Sequence, residues 1–289
     1  MTTEPPRYPY VAVDVAEEEA DEAGALLFEL GAGGVEHRDA TTLAKGASGK
    51  VTLVASFERE EDARAAMAEV PEGWSARLEE VVGDAWRDEW KKHFEPFRVC
   101  EGVVVRPPWR EHAAAPGERV VVLEPGRAFG TGLHETTSLV AEVLAETSLA
   151  GVTVLDVGCG SGVLALVALA LGAARARAID VDPDAVAVTR ENAERNGVAE
   201  RVEADETPVG SLDGTYPVVL ANIEAKTLVE LAVDLAARVA PGGLLVLSGV
   251  LSAAVMPSQL ADLRRAFAAL REDRVRTKGE WIAVSLRRP

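Results

Sequence analysis

The sequence predicts an α/β protein in which a mostly parallel sheet is covered by helices on both faces, with a smaller α+β unit ahead of it. Three observations predict it. From Gly151 onward, apolar strand-like runs alternate strictly with amphipathic helix-like runs, the pattern of a parallel sheet buried on both faces. The first 82 residues order as strand, helix, strand, strand, helix, strand. The last two strand-like runs are joined only by Lys278 and Gly279, so they form a hairpin and are antiparallel.

Composition sets the outer limits. A chain of 289 residues is long enough for one large domain plus a smaller one. A hydrophobic share of 48% beside 27% charged residues is that of a soluble globular protein rather than a disordered one. No apolar run reaches the roughly 18–20 residues needed to cross a bilayer, and MTTEPPRYPY has neither the basic head nor the apolar stretch of a signal peptide. A cytoplasmic protein is expected. Cys100 and Cys159 stand far apart with no CxxC and no nearby histidine cluster, so neither a disulfide framework nor a metal site is expected. The net charge of −17 counts against broad binding to nucleic acid, whose affinity comes mainly from Lys and Arg on phosphates. A basic protein partner suits that charge; acidity that serves only solubility is the competing reading.

Taken in order, residues 8–15 (YPYVAVDV) read as a strand, 17–32 as a helix closed by glycines, VEHRD as a second strand, and 49–57 as a third. A second helix over 59–70 and a last strand over 74–81 complete the βαββαβ order of a small ferredoxin-like domain. In DAWRDEWKKHFEPFRV, Trp86, Trp90 and Phe94 recur at four-residue steps and share a helix face until Pro96 ends it. Ordinary packing accounts for such rings. Residues 107–118 (PPWREHAAAPGE) read as a loop. Beyond Gly151 the strands are VTVLDV, ARAIDV, RVEA, YPVVLANI and PGGLLVLSGV, with helices from Gly162 to Leu171, over DPDAVAVTRENAERNG, over AKTLVELAVDLAARVA and around 257–270. REDRVRT and EWIAVSLRR form the terminal hairpin.

Two glycine clusters carry the chemistry. In VLDVGCGSG, Gly158, Gly160 and Gly162 follow a strand and open a helix, where glycine lets backbone and ligand come close and free N–H groups favour an electron-rich ligand. The dinucleotide fingerprint G-x-G-x-x-G fails, because Val163 stands where its third glycine would fall. Asp156 instead precedes the glycines. The next strand ends in Asp180, placed to take hydrogen bonds from two ribose hydroxyls.

This set resembles the class I methyltransferases that use S-adenosylmethionine, Rossmann-like proteins with a seven-stranded sheet whose last strand is antiparallel. The resemblance implies that Gly158 and Gly160 line the methionine and ribose portion, that Asp180 holds the ribose hydroxyls, and that Asp205, after the strand RVEA, lies near the adenine. Where many amine methyltransferases carry (Asn/Asp)-Pro-Pro-(Tyr/Phe), this chain reads Asn222, Ile223, Glu224 without prolines. That disfavours bases and glutamine as acceptors. Asn222 still ends a strand at the sheet's ligand edge.

The other cluster, EPGRAFGTGLHETT, precedes the apolar run LVAEVLAE. Gly130 and Gly132 free the backbone around Thr131, whose hydroxyl and N–H can meet a cofactor carboxylate, and Phe129 offers a flat apolar cover. A plain tight turn is the competing reading. His134 reads equally as a helix-start residue and as a catalytic one, and Thr136 or Thr137 as a helix cap. Together with LANI, WRDEWKKHFEPF and the βαββαβ head, the pattern PG-x-AFGTG-x-H-x-TT, present here as Phe129, Gly130, Thr131, Gly132, His134, Thr136 and Thr137, resembles the bacterial ribosomal protein L-eleven methyltransferase family essentially end to end.

The resemblance implies an enzyme that methylates the N-terminal amine and lysines of ribosomal protein L-eleven, with the head recognising that protein. It implies a division into a substrate-recognition domain at 1–82, a linker with an aromatic helix at 83–117 and an S-adenosylmethionine-dependent methyltransferase domain at 118–289. The expected catalytic residues are Asn222, His134 and Phe129; the expected cofactor residues are Thr131, Asp156, Gly158, Gly160, Asp180, Asp205 and Asn222. A monomer without direct nucleic-acid contact is expected. A lysine methyltransferase of another protein, a catalytically silent cofactor-binding protein of the ribosome, and an RNA methyltransferase are the competing readings; intact Asp156, Gly158, Gly160, Asp180 and Asn222 speak against the second, and charge against the third.

Overall fold

A computed structural model describes residues 7–16, 19–38, 51–57, 59–71, 73–82, 94–124 and 132–289. The chain divides into two compact units, 1–93 and 94–289.

The first unit is β1 (Arg7–Val15), α1 (Ala20–Glu29), β2 (Gly34–Arg38), β3 (Val51–Ser56), α2 (Glu60–Ala68) and β4 (Ser75–Val82). Its sheet is antiparallel in the order β2-β3-β1-β4, the ferredoxin-like arrangement expected from βαββαβ. Val11, Val13 and Val15 alternate along β1 and meet Leu53 and Ala55 of β3, Ala23 and Leu27 of α1, and Ala63 and Ala66 of α2 in one apolar core. Period-two alternation explains this face. On β1, Asp14 accepts from Thr52 Oγ1 at 2.6 Å and pairs with Arg77 at 2.7 Å.

The second unit opens with three strands for which the sequence reading had no place: β5 (Phe97–Cys100), β6 (Val103–Arg106) and β7 (Arg119–Val122). β5 and β6 pair antiparallel around Gly102, whose φ of 74° suits the turn, and β7 joins β6 in parallel. The described part of the expected linker is therefore a hairpin built into this unit's core, where Val99, Val103, Val105, Val121 and Leu123 are buried with the helix side chains. Residues 107–118 form the expected loop. Residues 83–93, with Trp86 and Trp90, lie outside the described residues.

The main sheet comprises β8 (Thr153–Val157), β9 (Arg175–Ile179), β10 (Val202–Asp205), β11 (Tyr216–Asn222), β12 (Val239–Leu251), β13 (Arg271–Lys278) and β14 (Trp281–Arg287), in the order β10-β9-β8-β11-β12-β14-β13. β14 runs antiparallel to both neighbours and the other strand pairs are parallel. This is the expected seven-stranded class I methyltransferase sheet. The helices are α3 (Glu135–Ala145), α4 (Val163–Ala170), α5 (Pro183–Arg195), α6 (Ala225–Glu230), α7 (Ala232–Arg238) and α8 (Pro257–Ala266). α4, VLALVALA, is apolar all round because it is buried nearly all round, each fully buried Leu or Val contributing about 1.5–3 kcal/mol. The helix expected over AKTLVELAVDLAARVA is broken at Leu231 into α6 and α7, with Leu228 before the break and Leu235 after it both fully buried.

Candidate active site

Strand register brings the candidate residues to one edge. Val157 of β8 pairs with Ile179 of β9, Ile179 with Asp205 of β10, and Val157 with Ala221 of β11. Gly158, Asp180 and Asn222 each come one residue later. Crossovers run from β8 toward β9 on one side and return to β11 on the other, so the strand order reverses at β8, and ligands of open α/β sheets bind at such a reversal.

The glycine loop is shaped by its own backbone. Gly158 N–H and Cys159 N–H both donate to the Ile179 carbonyl, at 2.8 and 3.1 Å, turning the chain tightly around the end of β9. Gly158, Gly160 and Gly162 have φ of 71°, 52° and 77°, the left-handed region that other residues enter at a cost of about 1–2 kcal/mol. Space enforces the same choice: a Cβ on Gly158 would stand 2.2 Å from Ile223 Cγ2, and one on Gly162 2.8 Å from Thr189 Oγ1.

Asp180 is held by backbone donors. Its Oδ2 accepts from Gly160 N–H at 2.9 Å and its Oδ1 from Asp182 N–H at 3.1 Å. The glycine loop and Asp180 thus form one hydrogen-bonded unit. Asp182 in turn caps α5 by accepting from Asp184 N–H. Asp205 accepts from Thr207 N–H at 2.9 Å and pairs with Arg177 at 2.6 Å. Partial burial raises its carboxyl, but Thr207 and Arg177 outweigh that and hold it below the ordinary carboxylate range.

Asp156 is a buried carboxyl next to the glycine loop in sequence, 1% exposed. Its Oδ2 accepts from Ala165 N–H at 3.1 Å, near the start of α4, while its Oδ1 finds no partner among the described residues. Burial pushes its carboxyl up to about 7; the Ala165 N–H pulls it down, and the Asp180 charge adds to the rise. An acid in this state carries an unused acceptor beneath the glycine loop.

Asn222 ends β11 half-buried and pairs in register with Ser248 of β12. Across from it, β12 shifts register after Leu247. Gly249, at φ 84°, sits in that irregularity so close that a Cβ would lie 2.1 Å from the Ile223 carbonyl oxygen. Ile223 is therefore wedged between Gly158 and Gly249.

The second cluster is described only in part. Phe129, Gly130 and Thr131 lie outside the described residues. Gly132, at φ 79°, packs where a Cβ would meet Phe97 and Val163, the latter opening α4 beside the glycine loop. His134 is the N-cap of α3: its Nδ1 accepts from Thr136 N–H at 3.4 Å and lies 2.8 Å from Thr136 Oγ1. The cap is thus the histidine and not Thr136 or Thr137, which fall inside the first turn and are buried. His134 also meets Trp281, at the start of β14, edge to face with ring centroids 4.8 Å apart.

Gly249, Arg177, Thr189 and Trp281 escaped the sequence reading, and Ile223 was read only as part of the stretch that lacks the prolines. For Ile223 and Gly249 a signal existed: a glycine inside the apolar strand LLVLSGV marks a bulge or a close backbone approach. No group of acids, histidines or cysteines able to hold a metal occurs among the described residues.

S-adenosylmethionine fits these residues. Left-handed glycines leave the backbone bare beside Asp180, whose orientation is fixed by Gly160, and the buried Asp156 has an unpartnered oxygen.

Comparison with known proteins agrees. The family model for ribosomal protein L11 methyltransferase matches residues 7–289. Relatives carrying that name include one from Sorangium cellulosum, 59% identical over 85% of this chain and 80% of the relative, and one from Pelobacter propionicus, 38% identical over 100% and 99%. The crystal structure of a ribosomal protein L11 methylase from Lactobacillus delbrueckii subsp. bulgaricus, 27% identical, aligns with a TM-score of 0.61 over 68% of this chain and 100% of that one. The chain is thus an S-adenosylmethionine-dependent methyltransferase and belongs to the ribosomal protein L11 methyltransferase family.

Proposed function

We propose that this protein methylates amino groups of ribosomal protein L11, the N-terminal amine and lysine side chains, with the unit of β1 to β4 recognising the substrate. The observation that carries this reading is the extent of the family match, which takes in that unit as well as the methyltransferase sheet. The acidic charge of −17 suits a basic protein substrate and disfavours direct contact with nucleic acid. We read the protein as a cytoplasmic monomer; among the described residues no helix is long and apolar enough to cross a membrane.

S-adenosylmethionine, when bound, supplies an electrophilic methyl carbon on a sulfonium. Gly158, Gly160 and Asp156 would hold its methionine portion, Asp180 its ribose hydroxyls and Asp205 its adenine side, with Thr131 meeting its carboxylate and Phe129 giving an apolar cover. Methyl transfer is an in-line displacement, so the protein's work is alignment. A protonated amine has no lone pair, and a free lysine has a pKa of about 10.4, so the acceptor must lose its proton first. Desolvation at the strand ends lowers that pKa. The Asn222 carbonyl, on a residue whose neighbour is pinned between two glycines, orients the neutral amine. His134 Nδ1 lies 3.4 Å from Thr136 N–H and 2.8 Å from Thr136 Oγ1, so that nitrogen is engaged at the start of α3. We therefore assign proton removal to water and the capping role to His134.

The test is intact-mass spectrometry of unmethylated L11 incubated with this protein and S-adenosylmethionine, with Asp180→Ala as the control. Steps of one methyl mass that vanish in the control support the reading. No mass change, with cofactor binding still detectable by calorimetry, overturns the assignment of L11 and points to another protein acceptor.

A further inference from the structure

α5 carries a buried polar stripe where an amphipathic helix would ordinarily present apolar side chains. Thr189, Asn192 and Asn196 follow one another at steps of three and four residues and so share one face. Thr189 and Asn192 are 1% and 0% exposed. Burying such groups costs stability unless every one is bonded, and these are. Thr189 Oγ1 donates to the Gly160 carbonyl at 3.0 Å. Asn192 Nδ2 donates to the Ser161 carbonyl at 3.0 Å and to the Glu124 carbonyl at 3.1 Å, while its Oδ1 accepts from Glu124 N–H at 3.0 Å. Asn196 brackets Val122 in the same way, accepting from its N–H at 2.8 Å and donating to its carbonyl at 2.6 Å. The two carboxamides pair with the end of β7 as a neighbouring strand would. Arg195 adds an ion pair to Glu124 at 2.6 Å.

We infer that Asn192 is a positioning residue for cofactor binding: one buried carboxamide that fixes Ser161 of the glycine loop and Glu124, the residue with which the second glycine cluster begins, in a single register. Thr189 fixes Gly160, and Gly160 N–H fixes Asp180, so the stripe reaches the ribose acid through two hydrogen bonds. Asn196 serves as the internal comparison, because it holds β7 equally well and touches nothing in the glycine loop. The inference rests on the cofactor and not on the identity of the acceptor.

The test is calorimetric binding of S-adenosylhomocysteine to the full chain, with thermal unfolding alongside. Binding by the unmodified protein checks the cofactor assignment by itself. Asn192→Asp keeps the volume and the acceptor but loses both donors; Asn192→Ala loses all three bonds. Both are expected to weaken binding about tenfold or more, the scale of one or two lost hydrogen bonds, while Asn196→Ala stays within about threefold. Hydrogen exchange on the unmodified protein supplies a readout that no folding failure can remove. The Glu124 amide is expected to exchange more slowly when S-adenosylhomocysteine is added, and the Val122 amide to change less. Unchanged affinity in Asn192→Asp, equal weakening in Asn196→Ala, or a Glu124 amide indifferent to ligand would each overturn the inference.

Discussion

Gly158 and Ile223 meet so closely at the ends of β8 and β11 that a single added methyl on the glycine would stand 2.2 Å from Ile223 Cγ2. The glycine loop and the residue after Asn222 thus share one volume. Gly158→Ala is expected to weaken S-adenosylhomocysteine binding at least about tenfold, through both the clash and the left-handed φ. In Gly158→Ala/Ile223→Ala the clash is gone and only the φ penalty remains, so the double variant is expected to bind better than Gly158→Ala alone. Additive losses in a double-mutant cycle would show that the two residues do not share this space.

Gly249 guards the other side of Ile223, and there the obstacle is backbone. Its φ of 84° and a Cβ 2.1 Å from the Ile223 carbonyl oxygen leave no side chain free to yield. Gly249→Ala is expected to cost about 3 kcal/mol of unfolding free energy by denaturant titration, the φ and overpacking penalties together. Where the variant folds, kcat and S-adenosylhomocysteine affinity are both expected to fall, since the displaced Ile223 adjoins Asn222 in sequence and Gly158 in space.

Asn222→Ala separates orientation from binding. We expect a loss of kcat of about a hundredfold and a much smaller loss of cofactor affinity, since the orienting role acts on the alignment of the amine while the other cofactor residues remain. Full methylation by this variant would remove Asn222 from the mechanism.

Capping and catalysis by His134 predict different outcomes for one substitution. Asn accepts an N2 or N3 backbone N–H as well as histidine does, so His134→Asn is expected to retain most of kcat, whereas His134→Ala loses about 1 kcal/mol of stability. A collapse of kcat in His134→Asn with folding intact would assign the proton to the histidine.

Asp156 makes stability depend on pH. Its carboxyl rises from 3.8 to about 7 on folding. Between those values the folded state holds more protons than the unfolded one, so this residue's contribution to stability falls as pH rises through the window and is level above it. Urea midpoints at pH 5 and pH 8 are expected to differ more in the unmodified protein than in Asp156→Asn. Equal differences would mean that the buried carboxyl does not titrate there.

The placing of the glycine loop, Asp180, Asp205 and Asn222 at strand ends was legible because a strand end is marked locally by where an apolar run stops; Asp156 lies one residue inside β8. The same alternation announced a mostly parallel sheet with a terminal antiparallel hairpin, while the order of its strands emerged only in the structure. β5 to β7 were not legible: FRVC, VVVR and RVVV are four residues each, too short for periodicity to speak, and the loop from 107 to 118 hides that the third belongs beside the second. The polar stripe of α5 carried no local signal: only the partners at Gly160, Ser161, Glu124 and Val122 explain why Thr189, Asn192 and Asn196 point inward.

The sequence alone determined which residues end strands, which glycines must turn the chain, and through them the fold and the class of chemistry. Tertiary structure decided what those residues touch. Glu124 and Asn192 are separated by 68 positions, and Gly249 meets Ile223 from a neighbouring strand, so neither contact leaves a local trace. Local patterns record the backbone's own preferences; a buried hydrogen bond or a close approach between distant segments exists only once the hydrophobic faces have brought those segments together.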